Sequence, residues 1–79
     1  MEVILTSRKD TAVIKTGYCP SVKKFVTMYS NNKKQMKLEE FDKLENLVQT
    51  HDFWCKIVGI ISQPVNNEAI VQQAQKCIS

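Results

Sequence analysis

Two short segments near the start of the chain are rich in β-branched residues and predict a β-hairpin. Residues 2–6 and 12–17 contain Val, Ile and Thr, and the polar residues 7–11 between them have the composition of a turn. Neither segment alternates strictly between apolar and polar positions, which indicates that both faces are partly covered, as when helices pack on a small sheet. We therefore expect an antiparallel pair of strands that packs against helices.

The pattern then changes to a spacing that is typical of helices. Pro20 suits the first position of a helix, where its missing N–H has no partner to lose. Apolar residues follow at i, i+3, i+4 and i+7, namely Val22, Phe25, Val26 and Tyr29. After a polar loop at residues 30–35, a second helix is predicted over residues 36–49, with an apolar side formed by Leu38, Phe41, Leu44, Leu47 and Val48.

The rest of the chain predicts two further helices. In residues 52–63 the β-branched side chains are typical of a strand, but a helix gathers the large apolar ones on a single arc, and we favour the helix while the strand stays open. Pro64 ends this element in either case. Residues 67–78 form a last amphipathic helix with Asn66 or Asn67 as its N-cap. The expected fold is a single α+β domain over residues 1–79, an N-terminal β-hairpin packed on three to four short helices.

Length and composition exclude several classes of protein. The 79 residues, 43% of them hydrophobic and 24% charged, are typical of one small globular domain rather than a disordered chain. The longest apolar stretch, residues 57–61, is far too short to cross a bilayer, and the start of the chain does not have the pattern of a signal peptide. Three widely spaced cysteines fit a reducing compartment better than a disulfide framework, so we expect a cytoplasmic protein.

The charge is unevenly distributed along the chain. Up to residue 37 there are eight basic and two acidic residues, whereas three basic and six acidic residues follow. Clustered lysines and arginines raise the local potential and attract anionic partners. We therefore predict a basic binding surface formed by Arg8, Lys9, Lys15, Lys23, Lys24, Lys33, Lys34 and Lys37.

One short segment resembles a redox motif. The run Gly17-Tyr18-Cys19-Pro20-Ser21-Val22-Lys23-Lys24 is similar to the strand, Cys-Pro and helix start of the glutaredoxin and thioredoxin families. The resemblance implies a thiol whose pKa is lowered by free N–H groups at a helix N-terminus. Val22 stands where the second cysteine of the Cys-x-x-Cys pair would be, and we predict a structural cysteine at a helix start.

Metal and catalytic chemistry have little support in the residues. His51 and Cys55 have the i, i+4 spacing of two metal ligands on one helix face, but a zinc tetrahedron would also need Cys19 and Cys77 from the two ends of the chain. The single histidine has no flanking signature of a catalytic triad. We therefore predict no metal, no other cofactor and no enzymatic activity.

These observations favour a small interaction or regulatory protein, of the inhibitor or adaptor kind, whose basic surface docks on an acidic protein. Tyr29, Phe53 and Trp54 are the predicted anchors, because aromatic residues dominate the binding energy of many interfaces. The alternative is a non-specific nucleic-acid-binding protein that uses the same cations, with Tyr18 and Tyr29 as stacking surfaces. A homodimer stays open, since a second copy would stabilise so small a core. The Lys- and Asn-rich, Gly-poor composition is compatible with an accessory protein of an AT-rich viral or phage genome.

Overall fold

A four-stranded antiparallel sheet and two helices make up the fold in a computed structural model that describes residues 1–61 and 67–78. The strands follow one another in chain order across the sheet: β1 (Glu2–Lys9), β2 (Ala12–Cys19), β3 (Lys24–Ser30) and β4 (Gln35–Phe41). A single 3₁₀ turn at Leu44–Asn46 leads into helix α1 (Leu47–Ile57), and helix α2 spans Asn67–Ile78.

Both helices cover the same face of the sheet. Helix α1 packs mainly on β2 and β3, and α2 packs on β1 and β2. Paired residues on neighbouring antiparallel strands point their side chains to the same face of the sheet. On the face that the helices cover, apolar side chains of the sheet pack with residues of α1, of the turn after it and of α2. They form two clusters, one around Phe25 and Leu47 and the other around Ile14, Cys55 and Ile60.

The first residues of β1 bend over the other face of the sheet. The register of β1 against β2 shifts between Val3 and Leu5, which marks a β-bulge, and a bulge bends its strand and increases the local twist. As a result, a Cβ atom at Gly17 would collide with the carbonyl oxygen of Glu2 and the Cα atom of Val3. Only glycine permits so close an approach of two backbones.

The prediction of three to four helices is wrong, because residues 22–29 contain the turn before β3 and most of that strand instead of a helix. Phe25 and Tyr29 face the helices, where both pack against buried residues. Val26 points to the opposite face, yet it is only 6% exposed, next to the bent start of β1. Because the neighbours Phe25 and Val26 are buried on opposite faces of β3, its apolar residues do not alternate and their spacing mimics a helix.

The predicted helix over residues 36–49 is also wrong, since this stretch contains β4, the 3₁₀ turn and the first turn of α1. The register of β3 against β4 shifts where Leu38 is inserted, between the pairs Thr27–Glu39 and Met28–Lys37. Leu38 packs against the buried cluster under α1, and Phe41 packs against the other cluster. The bulge thus puts two apolar residues three positions apart on one face, which imitates helical spacing.

The other predicted elements are closer to the structure. The N-terminal hairpin and the helix over residues 67–78 are confirmed, although the strands are longer than predicted. The ambiguous segment after residue 52 is helical only as far as Ile57, and Gly59, with a φ of 82°, lies in the turn that follows. The predicted end of this segment at Gln63 and Pro64, and Asn66 as a candidate N-cap of the last helix, lie outside the described residues. Within residues 1–61 and 67–78, neither helix has the length and apolar character needed to span a membrane.

Candidate binding surface

The face of the sheet opposite the helices, which we call the open face, combines cationic and apolar side chains. One row across its four strands consists of Thr6, Lys15, Met28 and Lys37. The next row consists of Arg8, Val13, Ser30 and Gln35. Since adjacent strands lie about 4.8 Å apart, the backbones at Lys15 and Lys37 are about 10 Å apart with Met28 between them.

Register determines which of the eight predicted cations share a surface. Four of them point to the open face: Arg8, Lys15, Lys24 and Lys37. Lys33 and Lys34 are exposed in the turn between β3 and β4, at the same end of the sheet as Arg8. Lys23 lies in the turn at the opposite end. The basic surface predicted from the sequence is therefore divided between one face and two ends of the sheet.

Lys9 belongs to a different environment. Its backbone pairs with Ala12 at the end of the first hairpin, and its ammonium group donates a hydrogen bond of 3.3 Å to the carbonyl oxygen of Gly59. That carbonyl follows the C-terminus of α1, where a positive charge is favourable because of the helix dipole. Lys9 thus contacts the end of α1 instead of the open face.

Two of the cations on the open face already have acidic neighbours. Lys24 lies 3.6 Å from the carboxylate of Asp42. Lys37 forms an ion pair and hydrogen bond with Glu40, and this contact lowers the pKa of the Glu40 carboxyl. Among the residues that the structure describes, Arg8 and Lys15 form no ion pair, so these two charges are available to a partner.

The bent start of β1 forms one wall of a half-open pocket on the open face. The pocket holds about 160 Å³ and is lined by Met1, Val3, Lys15, Met28, Tyr29, Ser30 and Gln35. The backbone of Glu2 and Val3 in this wall lies so close to β2 that a Cβ atom at Gly17 would collide with it. Lys15 is the one charged side chain among these lining residues, so the pocket combines apolar surface with the ammonium group of a lysine.

The excess positive charge of the molecule belongs to the sheet. Residues 1–42 contain eight basic and five acidic residues, whereas residues 43–79 contain three of each. The net charge of +3 therefore comes from the sheet half of the chain.

Two of the predicted aromatic anchors, Phe53 and Trp54, lie on α1, away from the open face. The hydroxyl of Tyr29 accepts a hydrogen bond of 3.1 Å from the side-chain amide of Asn31, and its ring packs under α1. Trp54 donates from Nε1 to the carboxylate of Glu39 at 3.0 Å. Phe53 is 52% exposed on α1, with its ring centre 5.3 Å from that of Trp54. Phe53 and Trp54 therefore lie apart from the cations of the open face, and of the three predicted anchors only Tyr29 lines the pocket that Lys15 also lines.

A buried network around His51, which the sequence did not reveal, attaches α1 to the sheet. The Nε2 atom of His51 lies 2.9 Å from the hydroxyl oxygen of Ser7, and Nδ1 lies 2.8 Å from that of Thr16. The Thr16 hydroxyl also contacts that of Thr27 at 2.9 Å. Burial lowers the pKa of His51, which favours the neutral ring. The partners come from three strands, and nothing in the sequence brings them next to position 51.

This network differs from a catalytic triad in two respects. The contact between Ser7 and His51 has the distance of a nucleophile and its base, but Thr16 occupies the place where a triad has a carboxylate. A hydroxyl lacks the negative charge that stabilises an imidazolium ion. The ring is also only 3% exposed, which separates it from any substrate in solution. The geometry supports a structural role.

The cysteines lie in three separate environments. Cys19 ends β2 and is followed by a turn, so the predicted helix start, and with it the redox geometry implied by the resemblance, is wrong. The Ser21 hydroxyl, 3.2 Å away, lowers the pKa of its thiol, with help from backbone N–H groups. Burial raises the pKa of Cys55, and the Glu2 carboxylate raises that of Cys77. Within the described parts of the chain, no three His, Cys, Asp or Glu side chains cluster as metal ligands.

Comparison with models of known protein families gives no match, and neither does comparison with curated proteins or with solved structures. A function for this chain must therefore be argued from its own residues.

Proposed function

We propose that this chain is a non-enzymatic binding protein that docks the open face of its sheet on an acidic surface of another protein. The observation that carries the proposal is the row in which Lys15 and Lys37 flank Met28, with Arg8 in the next row. A face on which Arg8 and Lys15 have no carboxylate partner among the described residues attracts anionic surfaces and accelerates their encounter. The three free cysteines suit a reducing compartment, and we place the protein in the cytoplasm.

The apolar residues between the cations favour a protein as the partner. Val3 is 42% exposed, and Val13 and Met28 are partly exposed on the same face. Protein interfaces combine apolar contacts at their centre with charged groups at their rim. A phosphate backbone offers no comparable apolar surface, so burying these side chains would contribute little to binding a nucleic acid.

The position of the aromatic residues is a second argument against the nucleic-acid alternative. Proteins that bind single strands stack the bases on exposed aromatic rings. In this sheet the rings of Tyr18, Phe25, Tyr29 and Phe41 all pack on the helix side. Of the four, only Tyr29 also lines the pocket on the open face, so contact with a nucleic acid would rest mainly on phosphate pairing.

The proposal is tested with labelled polyglutamate, followed by fluorescence anisotropy at about 50 and 200 mM salt. We expect binding that weakens as salt rises. Replacing Arg8 and Lys15 by glutamate should lower the affinity at least about tenfold, since two attractive contacts become repulsive. The control changes two exposed lysines of the helix half, Lys43 and Lys56, to glutamate. It alters the net charge by the same amount and should retain most of the affinity.

Three results would contradict the proposal. Equal losses in the two variants would show that polyglutamate responds to net charge and not to the open face. Absence of binding at the lower salt concentration would remove the acidic protein partner. Stronger, salt-dependent binding of a labelled DNA or RNA oligonucleotide, lost with Arg8→Glu and Lys15→Glu, would favour the nucleic-acid alternative.

A further inference from the structure

We propose that the pocket on the open face receives one large apolar side chain of an acidic protein segment, while Lys15 pairs with a carboxylate beside that side chain. This inference rests on the proposed function and adds to it the chemistry of the segment that binds. The ligand class is an extended peptide in which an apolar residue is flanked by aspartate or glutamate.

The pocket depends on a specific feature of the backbone. The bulge in β1 and the missing side chain at Gly17 let Met1 and Val3 lie over the sheet, where they face Met28. Without this bend the open face would be flat at this point, and a flat sheet face offers a guest side chain contact on one side only. The bend provides a second wall.

The residues that line the pocket can adapt to apolar side chains of different shapes. Met1 and Met28 are unbranched and flexible, and methionine is frequent on surfaces that adapt to different apolar guests. Ser30 and Gln35 add a hydroxyl and an amide that can bond to the backbone of the guest. The volume of about 160 Å³ is enough for one side chain and too small for a folded element.

The spacing of the charges fits carboxylates on both sides of the guest residue. The backbones at Lys15 and Lys37 are about 10 Å apart, and the residues two positions before and after the guest, which share its side of an extended segment, are about 13 Å apart. The long side chains of the two lysines can span the difference. Lys37 would have to exchange Glu40 for the carboxylate of the guest. That exchange costs little, because exposed ion pairs contribute little to stability. Lys15 forms no ion pair among the described residues, so it has no bound carboxylate to exchange.

Two synthetic peptides test the inference, both acetylated and amidated at their ends and labelled with the same dye. One has the sequence Glu-Asp-Leu-Asp-Glu, and in the other the central Leu is replaced by Ser. We expect the Leu peptide to bind the native protein about tenfold more tightly, since burial of a leucine side chain supplies at least that factor. In the Met28→Ser variant the two peptides should bind equally, with the Ser peptide unchanged from its affinity for the native protein.

A matched control uses the exposed methionine that faces the other side of the sheet. Met36 is 44% exposed and is paired with Tyr29, so Met36→Ser should leave the preference for Leu intact. A second variant, Lys15→Gln, should weaken both peptides by a similar factor. Circular dichroism of each variant establishes that it is folded.

The outcomes separate this inference from the proposed function. Equal binding of the two peptides to the native protein overturns the pocket, while the basic open face survives. A preference for Leu that persists in Met28→Ser places the apolar site elsewhere and also overturns the inference. Failure of both peptides, together with failure of polyglutamate, overturns the proposed function itself.

Discussion

His51 joins α1 to the sheet through hydrogen bonds to two strands. Its two ring nitrogens contact hydroxyl groups of Ser7 and Thr16, and the ring is buried. In neutral imidazole one nitrogen donates and the other accepts, so each hydroxyl has a suitable partner. A protonated ring would have two donors and a charge in a site shielded from water. The network thus favours the neutral form, and stability becomes linked to pH.

The first prediction is a loss of stability in mild acid. Because burial lowers the pKa of His51 in the folded state, the unfolded chain takes up a proton first, near its ordinary value of about 6.5. The contribution of His51 to the free energy of unfolding should therefore be constant above this pH and fall as the pH decreases below it. The nearby Asp52 carboxylate opposes part of the shift without reversing it. Urea unfolding at a series of pH values measures the effect.

His51→Gln provides the comparison for this pH series. Glutamine can both donate and accept a hydrogen bond, but it does not titrate. The variant should show a smaller decrease of stability between about pH 5 and 6.5, above the range in which ordinary carboxylates titrate. An identical pH dependence in the two proteins would assign the effect to other groups.

Gly17 gives the second prediction. A methyl group at this position collides with the backbone of Glu2 and Val3, and neither can move without disturbing the β1–β2 pairing. We expect Gly17→Ala to destabilise the protein by about 1–3 kcal/mol, the usual cost of overpacking. It should also accelerate amide hydrogen exchange in the first half of β1. Gly59→Ala is the control, because open space surrounds this glycine and only its positive φ opposes a side chain.

Each helix is stabilised by the face that is buried against the sheet, and its exposed face contributes less. Helix α1 has Leu47, which is 1% exposed, on its sheet side, and Ile57, which is 57% exposed, on its outer side. The third prediction is that Leu47→Ala lowers the free energy of unfolding by about 2–5 kcal/mol, since it leaves a cavity between the sheet and both helices. Ile57→Ala should cost less than about 1 kcal/mol. Thermal unfolding followed by circular dichroism compares the two, and similar losses would contradict this placement of α1.

The elements also show what the sequence could predict. The first hairpin and α2 follow local patterns, in which β-branched residues surround a polar turn or apolar residues recur with a helical period. For β3 and β4 the pattern was misleading. Val26 is buried although it points away from the helices, and Leu38 is an extra residue in a bulge. Both effects arise from pairing between strands, which a single segment does not encode.

For the candidate site, the sequence predicts the cations but neither their arrangement nor the pocket. Its cations could be identified from their clustering in the first half of the chain, but strand register divides them. Lys15 and Lys37 share a row, whereas Lys9 contacts the end of α1. The pocket depends on the approach of β1 to Gly17, and a glycine in a predicted strand is the only local sign of it.

At the scale of the whole molecule, packing and charge separate the two sides of the sheet. Helices, aromatic rings and the His51 network occupy one side, where they stabilise the fold. The excess positive charge belongs to the sheet half, and the open face carries four basic residues in a surface that neither α1 nor α2 covers. A domain that places its stabilising contacts on one side leaves the other available for a partner.

The exposed side of α1 is the main competitor of the open face as a docking surface. Phe53 and Ile57 are each more than half exposed there, and Trp54 lies beside them. The surface formed by Phe53, Trp54 and Ile57 is apolar, whereas the open face is basic. An acidic probe therefore distinguishes the two surfaces. Binding through α1 would depend little on salt, because apolar contacts are not screened.

The most direct test of the open face is a map of amide shifts in the ¹⁵N-labelled protein during titration with polyglutamate. We predict the largest shifts at Lys15, Met28 and Lys37, with small ones in the exposed turn of α1 around Phe53 and Ile57. Shifts that diminish when salt is raised would confirm that the contact is electrostatic. Shifts concentrated in α1, or spread evenly over every exposed lysine of both halves, would contradict the assignment of the open face as the binding surface.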